Sequence, residues 1–108
     1  MIFISRVILF FNLICVCFAF CPCELNREKL GHSTWYLMHE IAKQPPSPYF
    51  DQFIHTLSHL YPCEICRKHF QANLQKYSLN QNPMSMCMFH NHVNYQLGKP
   101  EFNCSEYI

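Results

Sequence analysis

Residues 50–77 read FDQFIHTLSHLYPCEICRKHFQANLQKY. Phe50, Phe53, Ile54, Leu57, Leu60 and Tyr61 recur at intervals of three and four, which lays them along one face of a helix. Pro62 stops that pattern, because proline has no N–H to give and clashes with the preceding turn. From about Cys63 the same spacing resumes through Ile65, Cys66, Phe70, Leu74 and Tyr77, and it ends in the turn-rich Ser78-Leu-Asn-Gln-Asn-Pro83. Working outward, Leu30, Thr34/Trp35, Leu37/Met38 and Ile41 give an earlier helix from Leu30 to Gln44, broken by Gln44-Pro-Pro-Ser-Pro48. Met84, Cys87, Met88, Val93 and Leu97 give a later one that closes at Gly98, with Pro100 just beyond. Four helices with short connections predict an all-α four-helix bundle, followed by a short fifth helical segment at the C-terminus.

Composition narrows the function. Of 108 residues, 50% are apolar, 16% aromatic and only 14% charged, against roughly 25% charged in an average soluble protein, which excludes a disordered tail. Gly31 and Gly98 are the two glycines of the chain, too few for a strand-and-turn protein, a Walker loop or a dinucleotide fingerprint, so any nucleotide must be held by side chains. Arg6 aside, seven Lys/Arg face seven Asp/Glu, and a neutral body does not suggest a nucleic-acid partner. A helical body this small is marginal on its own core and needs a staple from cofactor, disulfide or dimerisation. Eight cysteines point to disulfides, metal or thiol chemistry.

Met1 to Phe20 reads MIFISRVILFFNLICVCFAF, with Arg6 its single charge. Apolar residues cover every helical face, so residues 1–23 are expected to be a secretory signal, with a cut after Ala19, or a membrane anchor. Residues 24–108 are then the folded domain. Either topology puts that domain across a membrane, where disulfides survive.

Tyr61-Pro62-Cys63-Glu64-Ile65-Cys66 places a Cys-x-x-Cys at the start of the third helix. That spacing brings two sulfurs within bonding reach, the helix N-terminus favours a thiolate on the outer one, and Arg67 and Lys68 add positive potential. The same motif serves zinc, since Cys63, Cys66, Cys87 and His90 have the spacing of a three-cysteine, one-histidine site, with His69 and His92 as spare ligands. A zinc-binding helical module is therefore the alternative. Against it, both ligand pairs lie within periodic helical segments and Cys104 is left without a use. A bridge from Cys87 to Cys104 would pin a short C-terminal segment back on the fourth helix, worth on the order of 3 kcal/mol.

Gly31-His-Ser-Thr-Trp35 with His39, Tyr-Pro-Cys-Glu-Ile-Cys66, Cys87-x2-His90-Asn91-x-Val93-Asn94, and Leu97-Gly-Lys-Pro100 followed by Phe102 and Cys104 keep one order and spacing from about Cys21 to Cys104. In these motifs the chain resembles the Erv/ALR family of FAD-linked sulfhydryl oxidases. The resemblance implies a helical bundle that holds FAD within it, usually as a homodimer. It also implies a catalytic disulfide, Cys63–Cys66, beside the flavin, a structural one, Cys87–Cys104, and an FAD site formed or bordered by Gly31, His32, Trp35, His39, Tyr61, His90, Asn91, Asn94 and Lys99. The residues suit that role: Trp35, His39 and His90 offer flat faces for an adenine, Asn91 and Asn94 share a helix face, and Lys99 suits a pyrophosphate. His55 and His59 match no site of the family and read as surface or interface residues. Two departures stand out: His32 replaces the usual arginine after Gly31, and Ser85 replaces a tryptophan often found two residues before the first structural cysteine.

The expected reaction takes two electrons from protein thiols through Cys63–Cys66 to FAD and on to molecular oxygen, giving hydrogen peroxide. Cys63, at the helix start, is expected to be the accessible interchange sulfur and Cys66 to face the flavin. Cys21 and Cys23 are expected to shuttle electrons or to bridge subunits. The hydrophobic start favours the endoplasmic reticulum or another secretory compartment, with the mitochondrial intermembrane space as the alternative.

Overall fold

The computed structural model describes residues 25–107. The chain divides into two compact units, Met1–Leu30 and Gly31–Ile108. The expected signal or anchor, with Cys15, Cys17, Cys21 and Cys23, lies outside the described residues. Among the described residues no helix is long and apolar enough to cross a membrane.

Every described element is helical: α1 (Arg27–Ala42), α2 (Phe50–Leu60), α3 (Glu64–Lys76), α4 (Pro83–Gln96) and a 3₁₀ turn, Cys104–Tyr107, which is the expected fifth segment. The helix ends have local causes. α1 begins three residues before the first periodic apolar position because Asn26 Oδ1 accepts the Lys29 N–H at 3.0 Å. α2 gives way at Tyr61, ahead of Pro62. Cys63 is the N-cap of α3, its Sγ accepting the Cys66 N–H at 3.4 Å. Asn82 caps α4 through the Ser85 N–H at 2.8 Å, and Pro83 occupies the first turn, where its missing donor costs nothing. Gly98 ends α4 at φ 70°, a left-handed conformation that glycine adopts without a Cβ penalty.

The core draws on all four helices. Met38 and Ala42 of α1, Phe50 and Ile54 of α2 and Met86 of α4 are buried, and Phe70 and Leu74 of α3 pack against them. Truncating a residue such as Met86, which is fully buried, to alanine would cost about 2–5 kcal/mol. Two amides add direction to this apolar centre. Gln81 donates to the Ile41 and Pro45 carbonyls at 3.0 and 3.3 Å and accepts the Ser47 N–H at 2.7 Å, tying the proline-rich turn to the start of α4. Asn73 and Gln96 exchange reciprocal hydrogen bonds at 3.0 and 2.8 Å, fastening α3 to the last turn of α4. The start of α1 aside, the helices fall within a residue or two of the periodic stretches.

Candidate active site

Cys63 and Cys66 form a disulfide across the first turn of α3, with Cα atoms 5.1 Å apart. Arg67 donates from Nη1 to the Tyr61 carbonyl at 2.8 Å, so its guanidinium braces the turn that carries the pair. The expectation that a helix-start position leaves Cys63 open is reversed: Cys63 is 3% exposed and Cys66 is half-buried. Capping alone does not account for this, since Asn26 and Asn82 cap their helices from exposed positions, whereas Cys63 caps α3 from a buried one.

Rings lead away from this turn. Tyr61 meets Phe70 edge-on with centroids 6.4 Å apart, Phe70 lies 6.2 Å from Phe89, and Phe89 lies 6.3 Å from Trp35. Trp35 then stacks on His90 at 3.8 Å with planes only 10° apart. His39 completes the cluster, its Nε2 2.9 Å from Nδ1 of His90, a bond in which at least one imidazole is neutral. Burial pushes the His90 imidazole down to about 4, helped by the charges of His39, Lys99 and His32. His39 is lowered as well, first by burial and then by Lys43, with Glu40 opposing. The site therefore presents flat, uncharged faces at neutral pH. Trp35 and His90 are closed on each other, so the pair offers outer faces and not a slot between them.

The remaining expected ligands separate into two groups. Gly31, at whose Cβ position nothing would lie within 4 Å, stands with exposed His32 on α1, while Lys99 is exposed beyond α4. Asn94 is buried, and its backbone carbonyl accepts the Lys99 N–H at 2.8 Å. Asn91 is turned toward the chain: Nδ2 donates to the Phe102 carbonyl at 2.9 Å and to Cys104 Sγ at 3.2 Å, and Oδ1 accepts the Phe102 N–H at 2.8 Å. Phe102, given no place in the site by spacing alone, joins the cluster with its ring 5.2 Å from His90. Its signal in the sequence was an aromatic two residues before a bridged cysteine.

The second disulfide joins Cys87 to Cys104, with Cα atoms 5.6 Å apart. The zinc alternative fails on these bonds, because Cys63, Cys66 and Cys87 are all spent in disulfides and leave His90 alone of the four proposed ligands. Among the described residues no group of three or more His, Cys, Asp or Glu side chains is placed to hold a metal. His55 and His59 lie exposed on α2, as the sequence suggested.

The Erv1 / Alr family profile matches residues 32–108, the stretch that holds both disulfides and the ring cluster. The chain belongs to the Erv1 / Alr family. Among its relatives, the mitochondrial FAD-linked sulfhydryl oxidase ERV1 of Saccharomyces cerevisiae is 37% identical over 90 residues, covering 72% of this chain and 48% of the relative. The FAD-linked sulfhydryl oxidase ERV1 of Oryza sativa subsp. japonica is 36% identical over 74% of this chain and 47% of its own. This member thus spans about half the length of the curated relatives it matches. The crystal structure of the FAD binding domain of Erv1 from Saccharomyces cerevisiae superposes with a TM-score of 0.66 at 32% identity, covering 78% of this chain and 91% of that one. The yeast Erv1 core gives 0.65 at 31% identity, over 81% and 84%.

Proposed function

We propose that this chain is an FAD-dependent sulfhydryl oxidase that forms disulfides in protein thiols through Cys63–Cys66 and passes the electrons to oxygen. The observation that carries this reading is one arrangement: a disulfide at a helix N-terminus, joined by a file of aromatic rings to an uncharged Trp35–His39–His90 cluster. The donor set fits a flavin dinucleotide. Trp35 and His90 supply outer stacking faces, neutral imidazoles avoid charge against an aromatic ring, open space at Gly31 admits close approach, and exposed Lys99 suits a pyrophosphate. When bound, FAD would supply the two-electron acceptance and the return of electrons to oxygen.

The chain's own part is thiol exchange. A substrate thiolate attacks one sulfur of Cys63–Cys66, forms a mixed disulfide and expels the other sulfur as a thiolate. The positive end of α3 and the cap hydrogen bond favour that thiolate at Cys63. A second substrate thiol then attacks the mixed disulfide, leaving oxidised substrate and a Cys63/Cys66 dithiol. Restoring the disulfide releases two electrons and two protons, which reach oxygen as hydrogen peroxide.

Relatives named mitochondrial favour the intermembrane space over a secretory compartment. Exposed Tyr36 and Leu37 on α1 support a homodimer. Cys21 and Cys23 are assigned as a shuttle to Cys63–Cys66, or else as an intersubunit bridge. The test of the main reading is the purified chain itself: a visible flavin band and peroxide released from dithiothreitol in air are expected. A colourless protein that releases no peroxide would contradict it.

A further inference from the structure

The segment after α4 is held to that helix from two adjacent turns. Cys87 bonds Cys104, and four residues further along α4 the Asn91 amide takes both the N–H and the C=O of Phe102, as a neighbouring strand would. Both hydrogens of Asn91 Nδ2 are used inside the chain, one on the Phe102 carbonyl and one on Cys104 Sγ. An amide so occupied has no N–H left for a ligand. What it holds is close to the ring cluster. Phe102 stands 5.2 Å from His90, and Lys99, on the same segment, is near enough to depress the His90 imidazole. Phe102 is 51% exposed, so little besides Asn91 and the adjoining bridge fixes its position.

We propose that Asn91 is a positioning residue, a clamp that sets Phe102 as one wall of the Trp35–His39–His90 site and acts on a bound flavin through that ring instead of by contact. This rests on the flavin reading above, but the clamp is measurable without a ligand. The Phe102 amide proton is bonded to Asn91 Oδ1, so its exchange with solvent reports the clamp directly. His90 reports the wall, because burial is the leading cause of its low value, with His39, Lys99 and His32 as the charges around it.

The experiment compares wild type, Asn91→Leu, Phe102→Ala and the double variant, using the full chain. In Asn91→Leu the Phe102 amide should exchange at least about tenfold faster while amides at Ile54 and Met86 keep their protection. The His90 midpoint, followed by NMR, should rise from about 4 toward 6.5 in both single variants. FAD titration by fluorescence should show affinity about five- to tenfold weaker in each single variant, and no weaker in the double variant than in Phe102→Ala. Asn91→Asp, which keeps the acceptor for the Phe102 N–H, should keep that amide protected and serves if the leucine variant does not fold. Unchanged exchange and an unchanged His90 midpoint in Asn91→Leu would overturn the clamp. Losses of affinity that multiply in the double variant would overturn it too, since Asn91 would then touch the cofactor itself. If wild type takes up no FAD, the oxidase reading fails while the exchange and His90 measurements still decide the clamp.

Discussion

The two disulfides of the described chain are alike in burial and unlike in position and in sequence separation. Each joins a buried cysteine, Cys63 or Cys87, to a half-buried one, Cys66 or Cys104. Exposure therefore does not tell the pair proposed to exchange from the pair proposed to fasten. Position does: Cys63 caps α3, where unsatisfied N–H groups stabilise a thiolate, whereas Cys87 lies in the second turn of α4, past the free N–H groups of that helix. Sequence separation tells them apart again. A bridge across 17 residues is worth about 3 kcal/mol on chain-entropy grounds, and one across three residues about 2 kcal/mol, closing a turn that Arg67 and the cap already brace. Under the proposed function, electrostatics at the sulfur, more than access to it, is what would separate the disulfide that reacts from the one that holds.

The sharpest way to break this comparison is to exchange the roles by mutation. Cys63→Ser and Cys66→Ser should each reduce dithiol oxidation to background, measured as peroxide release, while the helical circular dichroism is retained. Full activity in either variant would move the redox centre elsewhere. Cys87→Ser should do the opposite, lowering the unfolding free energy by about 3 kcal/mol in urea while turnover per folded molecule at saturating FAD persists.

Acid gives a smaller effect, centred on the His39–His90 pair between α1 and α4. His90 titrates at about 4 when folded and near 6.5 when unfolded, so its contribution is intact above pH 6.5 and is lost as pH falls from there through 4. With its half-exposed ring discounted for solvent, roughly 1–2 kcal/mol should disappear over that window, and the slope should flatten in His90→Asn. The smallest effect belongs to a site outside both bridges. Gln81→Leu removes three hydrogen bonds at the proline-rich turn, two of them exposed, and should cost about 1 kcal/mol in denaturant titration without altering reduction of either disulfide.

The helices were legible in the sequence because their signals are local. Apolar residues at three-to-four spacing, Pro62, the Pro45–Pro48 turn and Gly98 mark the elements to within a residue or two, except at Asn26, a polar cap to which apolar periodicity is blind. Of the residues expected at the site, Trp35, His39 and His90 meet in the fold, but their arrangement was not legible. Trp35 and His90 are 55 residues apart, and only the packing of α1 on α4 closes one ring on the other. Asn91 and Asn94 share a helix face, which suggested one ligand for both. The returning segment claims Asn91 first, and its path depends on a bridge and a left-handed glycine, not on the spacing of the two amides. The burial of Cys63 is a property of tertiary packing at the start of α3, which spacing does not report.

The central claim is that electrons from a thiol reach the flavin through Cys63–Cys66 and not through Cys87–Cys104. Its most direct test is the anaerobic addition of a stoichiometric dithiol to the FAD-loaded chain, with flavin absorbance followed in time. The absorbance should bleach in wild type and in Cys87→Ser, and should persist in Cys63→Ser and Cys66→Ser. Bleaching at the wild-type rate in the Cys63 and Cys66 variants, or none in wild type, would contradict the account.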